Sequence, residues 1–200
     1  MPKAFSDQEK ATIRRQLYEK GQQLFALYGL KKTSVDDLVQ AVGISKGAFY
    51  LFYGSKEELL FDILEQIEAE LQTSVLTFAT SAETNARQTV RDLLTHFLVK
   101  SDAYPLLKNF RQEDFILLVR KLPAEKVQHH VDRDEAFITN FQSKLAQEGI
   151  TMQASPQLVA NLVKSLFFIG RHRDDLGEAN YRETMAVLVD LVAGYVTKDE

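Results

Sequence analysis

Lys46, Tyr50 and Lys56 are the side chains whose types and spacing point to chemistry, and that chemistry is recognition of a polyanion. Lys46 and Tyr50 stand four residues apart, so on a helix they share a face and both can reach phosphates or base edges. Ser45, Lys46, Gly47, Ala48, Tyr50 and Leu51 make up that face, and the small residues at its start let a duplex backbone come close. Lys46 and Lys56 each fall in the first turn of an expected helix. A cation there opposes the macrodipole at a cost of about 0.3–1 kcal/mol. An anion over each helix start would turn that cost into attraction, and phosphate is the natural candidate. Position alone is also met by two solvated surface lysines.

Residues 34–58 must supply the elements that hold these side chains. They read as two short helices joined by a glycine turn, with a third helix starting at once, which is the pattern of a helix-turn-helix. Thr33 or Ser34 can cap the first of them, with Asp36 and Asp37 favourable in its opening turn. Gly43-Ile44-Ser45 has to turn the chain sharply, and glycine supplies a positive φ at little cost. Leu38, Val42, Ile44 and Phe49 are spaced to pack the two helices together. Upstream, Ser6 to Glu9 forms a capping box for a helix that Gly29 stops, and Ser55 to Glu58 forms another that opens a long helix. In that long helix Leu59, Ile63, Ile67 and Leu71 lie near one face.

The run Leu24-Phe25…Gly29…Thr33-Ser34-Val35…Leu38…Ala41-Val42-Gly43-Ile44-Ser45-Lys46-Gly47-Ala48-Phe49-Tyr50…Ser55-Lys56-Glu57-Glu58-Leu59 resembles the N-terminal domain of the TetR family of bacterial transcriptional regulators. The resemblance covers residues 10–60. It implies that the helix after Gly43 enters the major groove and that Thr33 or Ser34 binds phosphate. It also implies that Lys46, Gly47 and Tyr50 contact the duplex and that Lys56 anchors the start of the next helix. One departure is visible: Leu51-Phe52-Tyr53 follows Tyr50 where the family often carries a histidine, so Phe52 is either core or a contact to a thymine methyl. The implied architecture is all-α, with a three-helix helix-turn-helix DNA-binding domain over residues 1–56. A larger helical domain for effector binding and dimerisation would occupy 57–200.

The body agrees with that architecture in its periodicity. Helices are expected at Glu83–Lys100, Glu113–Lys121, from Pro123 to Gln147, from Ser155-Pro156 to Ile169, and at Ala179–Val196. On the last of these Tyr181, Met185, Leu188, Val192 and Tyr195 form one row, with Val187, Leu191 and Gly194 off it. The preceding helix is apolar nearly all round, so it is buried on more than one side, either against a twin in a two-fold dimer or inside one subunit. The family's homodimers use the last two helices in the first way. The family also binds a small-molecule effector in the larger domain. Here Phe97, Tyr104, Phe110, Phe137, Phe141 and Phe168 gather as candidates for that role, with core packing as the plain alternative. His129-His130-Val131-Asp132-Arg133-Asp134-Glu135 has metal-like spacing, but Arg133 inside it favours a solvated helix face, and no metal or cofactor is expected. Arg171-His172-Arg173-Asp174-Asp175 reads as a charge network at a helix end.

Composition sets the remaining bounds. The net charge of −4 hides an asymmetry: through Lys56 there are 9 basic and 5 acidic residues, and after it 15 and 23. A basic head on an acidic body directs one end toward a polyanion. The chain contains 0 cysteines, which excludes disulfides and thiolate metal sites. No apolar signal segment or membrane span is legible, so a cytoplasmic address without membrane attachment is expected. Phosphate-cradling glycine loops and nucleophile elbows are missing, which argues against an enzyme. The resulting expectation is a ligand-responsive homodimeric repressor on a palindromic DNA operator. An effector-independent, nucleoid-associated DNA binder is the alternative.

Overall fold

In chain order the helices are α1 (Asp7–Lys32), α2 (Val35–Val42), α3 (Lys46–Phe49), α4 (Lys56–Ala79), α5 (Ala86–Asp102), α6 (Pro105–Asn109), α7 (Gln112–Lys121), α8 (Ala124–Gln147), α9 (Pro156–Ile169), α10 (Arg173–Leu176) and α11 (Glu178–Val196). This computed structural model describes residues 5–79 and 85–197. Apart from one isolated bridge between Met152 and Thr197, its regular structure is helical, as the periodicity predicts. The expected helix start at Glu83 lies outside the described residues. The chain divides into two units, one from Met1–Ala69 with Pro105–Leu122, the other from Glu70–Tyr104 with Pro123–Glu200.

The first unit is built around α1. Ser6 and Glu9 close the expected capping box: Glu9 N–H donates to Ser6 Oγ at 3.3 Å, and Ser6 N–H to Glu9 Oε2 at 2.7 Å. Regular helical geometry ends at Gly29, whose φ of 74° and ψ of 170° break the ladder before a last turn to Lys32. Ile13, Leu17, Phe25 and Leu30 bury the inner face of α1. Against it lies the start of α4, where Leu59, Leu60, Ile63 and Ile67 are all but inaccessible to solvent. Gly21 is the close-approach point of the two helices: a Cβ there would lie 3.0 Å from Ile63 Cδ1 and 3.2 Å from Leu59 Cδ2. The chain then returns, and α6 and α7 pack on α1. They bury Leu106, Leu107, Phe110 and Leu118, and Asn109 Nδ2 donates to the Ala26 carbonyl at 2.9 Å.

The second unit centres on α5 and α11, which pack along each other. Arg87 lies over Gly194, where a Cβ would approach its guanidinium carbon to 3.2 Å, and donates to Asp190 at 2.7 Å. Val90 and Leu94 of α5, Leu166 of α9, and Tyr181, Met185 and Val189 of α11 form one core. Val75, Leu93, Phe141, Leu145 and Ile150 form another. Proline and glycine punctuate as expected: Pro123 precedes α8, Gly149 follows it at φ 85°, and Ser155-Pro156 opens α9.

The row drawn on the last helix needs correction. Its buried line is Tyr181, Met185, Val189, Ala193 and Val196, while Leu188 and Val192 are only half-buried and Tyr195 faces outward. The row read in the sequence keeps helical period, but the buried line is centred roughly 60° further round the helix at 3.6 residues per turn. Val187, Leu191 and Tyr195, at 54%, 61% and 58% exposure, therefore form a second, solvent-facing apolar stripe on α11. Among the described residues no helix is long and apolar enough to cross a membrane.

Candidate nucleic-acid interface

The α2–turn–α3 unit is fixed by a chain of local hydrogen bonds. Ser34, rather than Thr33, caps α2: its Oγ accepts from Asp37 N–H at 3.2 Å and donates to Asp37 Oδ2 at 2.6 Å, and its own N–H reaches the same oxygen at 2.8 Å. The Ser34 hydroxyl and then its N–H hold the Asp37 carboxyl below the usual carboxylate range. Gly43 ends α2 in the left-handed conformation, φ 76° and ψ 33°, with its N–H on the Val39 carbonyl at 2.9 Å. Ser45 caps α3 by accepting from Ala48 N–H at 3.1 Å. Leu38 and Phe49 are fully buried between the helices and Val42 and Ile44 partly so, which makes the turn a packed corner.

Ser34, Ser45, Lys46, Gly47, Tyr50 and Leu51 are all exposed on this corner. Tyr50 keeps half its surface open while its ring meets Phe49 edge-on at 5.5 Å, so its hydroxyl is presented on a braced ring. A Cβ at Gly47 would find only Ser45 Oγ, at 3.9 Å. Internal packing therefore does not require glycine there, and its smallness clears space on the outer side. Lys46 Nζ sits 3.1 Å from Asp36 Oδ2, both well exposed, an ion pair that water and a competing phosphate can break. Asp36 is a partner that sequence reasoning missed, because the pair spans the turn rather than one helix.

Three expected contacts are placed elsewhere. Thr33 is 1% exposed and its hydroxyl donates to the Gly29 carbonyl at 2.9 Å, so it closes the end of α1 instead of meeting phosphate. Ala48 is buried against the corner, because the short α3 turns its third residue inward. The Lys56 ammonium points back into the protein and donates to the carbonyls of Leu30 at 2.7 Å and Thr33 at 2.6 Å. Phe52 is half-buried beside Phe5, with the Arg14 guanidinium 5.9 Å from its ring centre. Tyr53, behind it, donates to Asp62 at 2.7 Å.

The aromatic candidates for an effector site divide. Phe110 belongs to the first unit, buried under α6 and α7, because Pro105 restarts the chain as a helix packed on α1. Phe97, Tyr104, Phe137, Phe141 and Phe168 lie in the second unit. Phe137 and Phe141 stack with ring centres 5.9 Å apart, Phe97 packs on the cluster containing Phe141, and Tyr104 donates to Glu70 at 2.6 Å. A polar pair not read from the sequence lies in the same unit: Ser74 Oγ is 2.8 Å from His96 Nε2, and Phe78 stacks on that imidazole at 4.3 Å. Burial and then the charge of Lys100 hold His96 below its usual pKa. Of the two charge clusters, His130 and Asp134 form a 3.6 Å pair along α8. Asp102 accepts from both Arg171 at 2.6 Å and Arg173 at 2.8 Å, which stack on Phe167 and Tyr181.

Comparison with known proteins converges on the same segment. Residues 17–63 match the family model described as bacterial regulatory proteins, tetR family. A Bacillus subtilis protein named as an uncharacterized HTH-type transcriptional regulator is 30% identical over 123 residues, 58% of this chain and 42% of its own length. An HTH-type transcriptional repressor of Mycobacterium tuberculosis is 36% identical over 66 residues, 33% of this chain and 35% of its own. The chain thus spans less than half the length of the curated relatives it matches. Among solved structures, a TetR-family transcriptional regulator from Pectobacterium atrosepticum superposes with a TM-score of 0.66 at 24% identity, covering 98% of this chain and 100% of that one.

Proposed function

We propose, from the premise that this chain belongs to the TetR family of bacterial regulatory proteins, that it is a homodimeric transcriptional repressor that reads a palindromic operator and responds to a small molecule. The family is not an enzymatic one. One observation carries the DNA-reading part: a rigidly capped corner presents Lys46 and Tyr50 beside a glycine that nothing inside the protein requires. Ser34 and Ser45 flank them with exposed hydroxyls, and Leu51, 73% exposed, offers an apolar tip for a thymine methyl. The approaching phosphate displaces Asp36 from Lys46.

Dimerisation is supported by the exposed apolar stripe of Val187, Leu191 and Tyr195 on α11, a helix that packs with the apolar α9. Pairing with a second copy would cover it, and would set two reading corners for two half-sites. The stacked Phe137 and Phe141, with Phe97, Tyr104 and Phe168, are the residues proposed to meet an effector. The effector must bind one head spacing better than another if it is to change operator affinity.

Selection of bound duplexes from a random pool tests the reading, with inverted repeats as the expected product. Lys46→Ala should weaken operator binding and lower the salt slope by about one. Leu191→Glu should give a folded monomer with much reduced operator affinity. Recovery of no enriched duplex, or a Lys46→Ala chain with unchanged affinity and slope, would refute the reading.

A further inference from the structure

Lys56 is engaged differently from Lys46: it is half-buried and bonded to backbone carbonyls, where Lys46 is exposed and paired with Asp36. The Lys56 ammonium carries three donors, and two are spent on the carbonyls of Leu30 and Thr33, 26 and 23 residues earlier in the chain. Both bonds are part-buried, and Leu30 and Thr33 are each 1% exposed. The need for such a partner comes from Gly29. Its positive φ breaks α1, and the Gly29 carbonyl then takes both the Thr33 N–H and the Thr33 hydroxyl. The Leu30 and Thr33 carbonyls lie past that break, where the helix ladder no longer offers them donors. Charge-assisted bonds from a cation suit that place.

We propose that Lys56 is a positioning residue: it ties the α1–α2 corner to the first turn of α4, and so fixes the attitude of α2 and α3, without touching the duplex itself. The segment it holds leads directly into the Ser34 cap of α2, and α2 carries α3 through the buried Leu38 and Phe49. The start of α4 is thereby tied to the segment that leads into α2. This inference rests on the DNA-reading function proposed above for its consequence, though not for its geometry.

The test uses the full chain with Lys56→Met, which keeps the stem and removes the donors. In the free protein, amide hydrogen exchange over residues 30–38 should quicken by about tenfold, and Lys56→Arg, which restores donors and charge, should recover protection. With operator duplex, Lys56→Met should lose about tenfold in affinity while its salt slope stays that of the wild type. Lys46→Ala, measured alongside, should lower the slope. A slope reduced by about 0.9 with unchanged exchange would make Lys56 a phosphate contact and overturn the proposal. Unchanged exchange with unchanged affinity would overturn it too. Should Lys56→Met not fold, the wild-type Lys56 ammonium resonance decides. It should be visible in the free protein and move less than that of Lys46 on titration with duplex, and the reverse refutes positioning. If no duplex binds the wild type, the functional reading falls, while the exchange experiment still judges Lys56.

Discussion

Gly21→Ala is a substitution whose sign has to be worked out from two opposing magnitudes. In the interior of α1 the change from glycine to alanine favours the helix by about 0.8–1 kcal/mol. The new methyl, however, would stand 3.0 Å from Ile63 Cδ1 and 3.2 Å from Leu59 Cδ2. Both side chains are at 0% exposure, so neither can swing out to make room. Overpacking of a filled core costs about 1–3 kcal/mol. The net expectation is destabilisation of about 1 kcal/mol, opposite to the helix-propensity argument alone. Ile63→Val removes the atom in the way and by itself should cost about 0.5–1.5 kcal/mol. In the double variant the alanine methyl fills part of the vacated space, so the two losses should not add, and a coupling of about 1 kcal/mol should appear. Urea unfolding followed by far-ultraviolet circular dichroism measures the cycle. Additivity within about 0.3 kcal/mol, or a Gly21→Ala chain more stable than wild type, would show that α1 and α4 do not meet as tightly as described.

Asp36→Asn should free Lys46 and remove a negative charge from the duplex-facing corner, raising affinity for non-operator DNA by about two- to fivefold at low salt; no change in a competition assay would mean that the pair does not restrain Lys46. Burial, then the hydrogen bond to Asp62, push the Tyr53 phenol well above the ordinary tyrosine range. Its stabilising contribution is therefore complete below about pH 10 and lost as pH rises beyond, and Tyr53→Phe should flatten the alkaline limb of the stability profile. His96 is shifted the other way, so its contribution is present above about pH 6.5 and disappears as pH falls through its lowered value. His96→Gln should remove that acid dependence in thermal melts below about pH 6.5; an unaltered profile would place the titration elsewhere.

Much of this molecule was readable because short-range rules govern it. The capping box at Ser6, the left-handed Gly43 and the Ser155-Pro156 start each depend on residues within one turn of each other, and all appear where the pattern puts them. Lys46, Gly47 and Tyr50 were likewise legible as an exposed face. What escaped depends on distance along the chain. The partners of Lys56 lie more than twenty residues upstream, and backbone carbonyls leave no mark in a sequence pattern. Thr33 and Ser34 look interchangeable as caps until one hydroxyl turns inward to Gly29. Phe110 reads like any other aromatic of the body, because nothing in its neighbourhood announces that the chain has returned to α1. The row on α11 differs for another reason: several apolar rows fit one helix, and only packing against α5 and α9 selects which of them is buried.

The return of the chain to α1 has a practical meaning for anyone who would treat the reading head as a cassette. Leu106, Leu107, Phe110 and Leu118 cover α1 from a stretch more than forty residues beyond Lys56, and Asn109 clips onto the Ala26 carbonyl. A graft that ends at residue 56 leaves that covering behind and sets bare apolar surface into solvent. Chimeras that exchange specificity between relatives should therefore carry both stretches, 1–69 and 105–122, as a split insert. The head is discontinuous in the chain, and its inheritance has to be discontinuous as well.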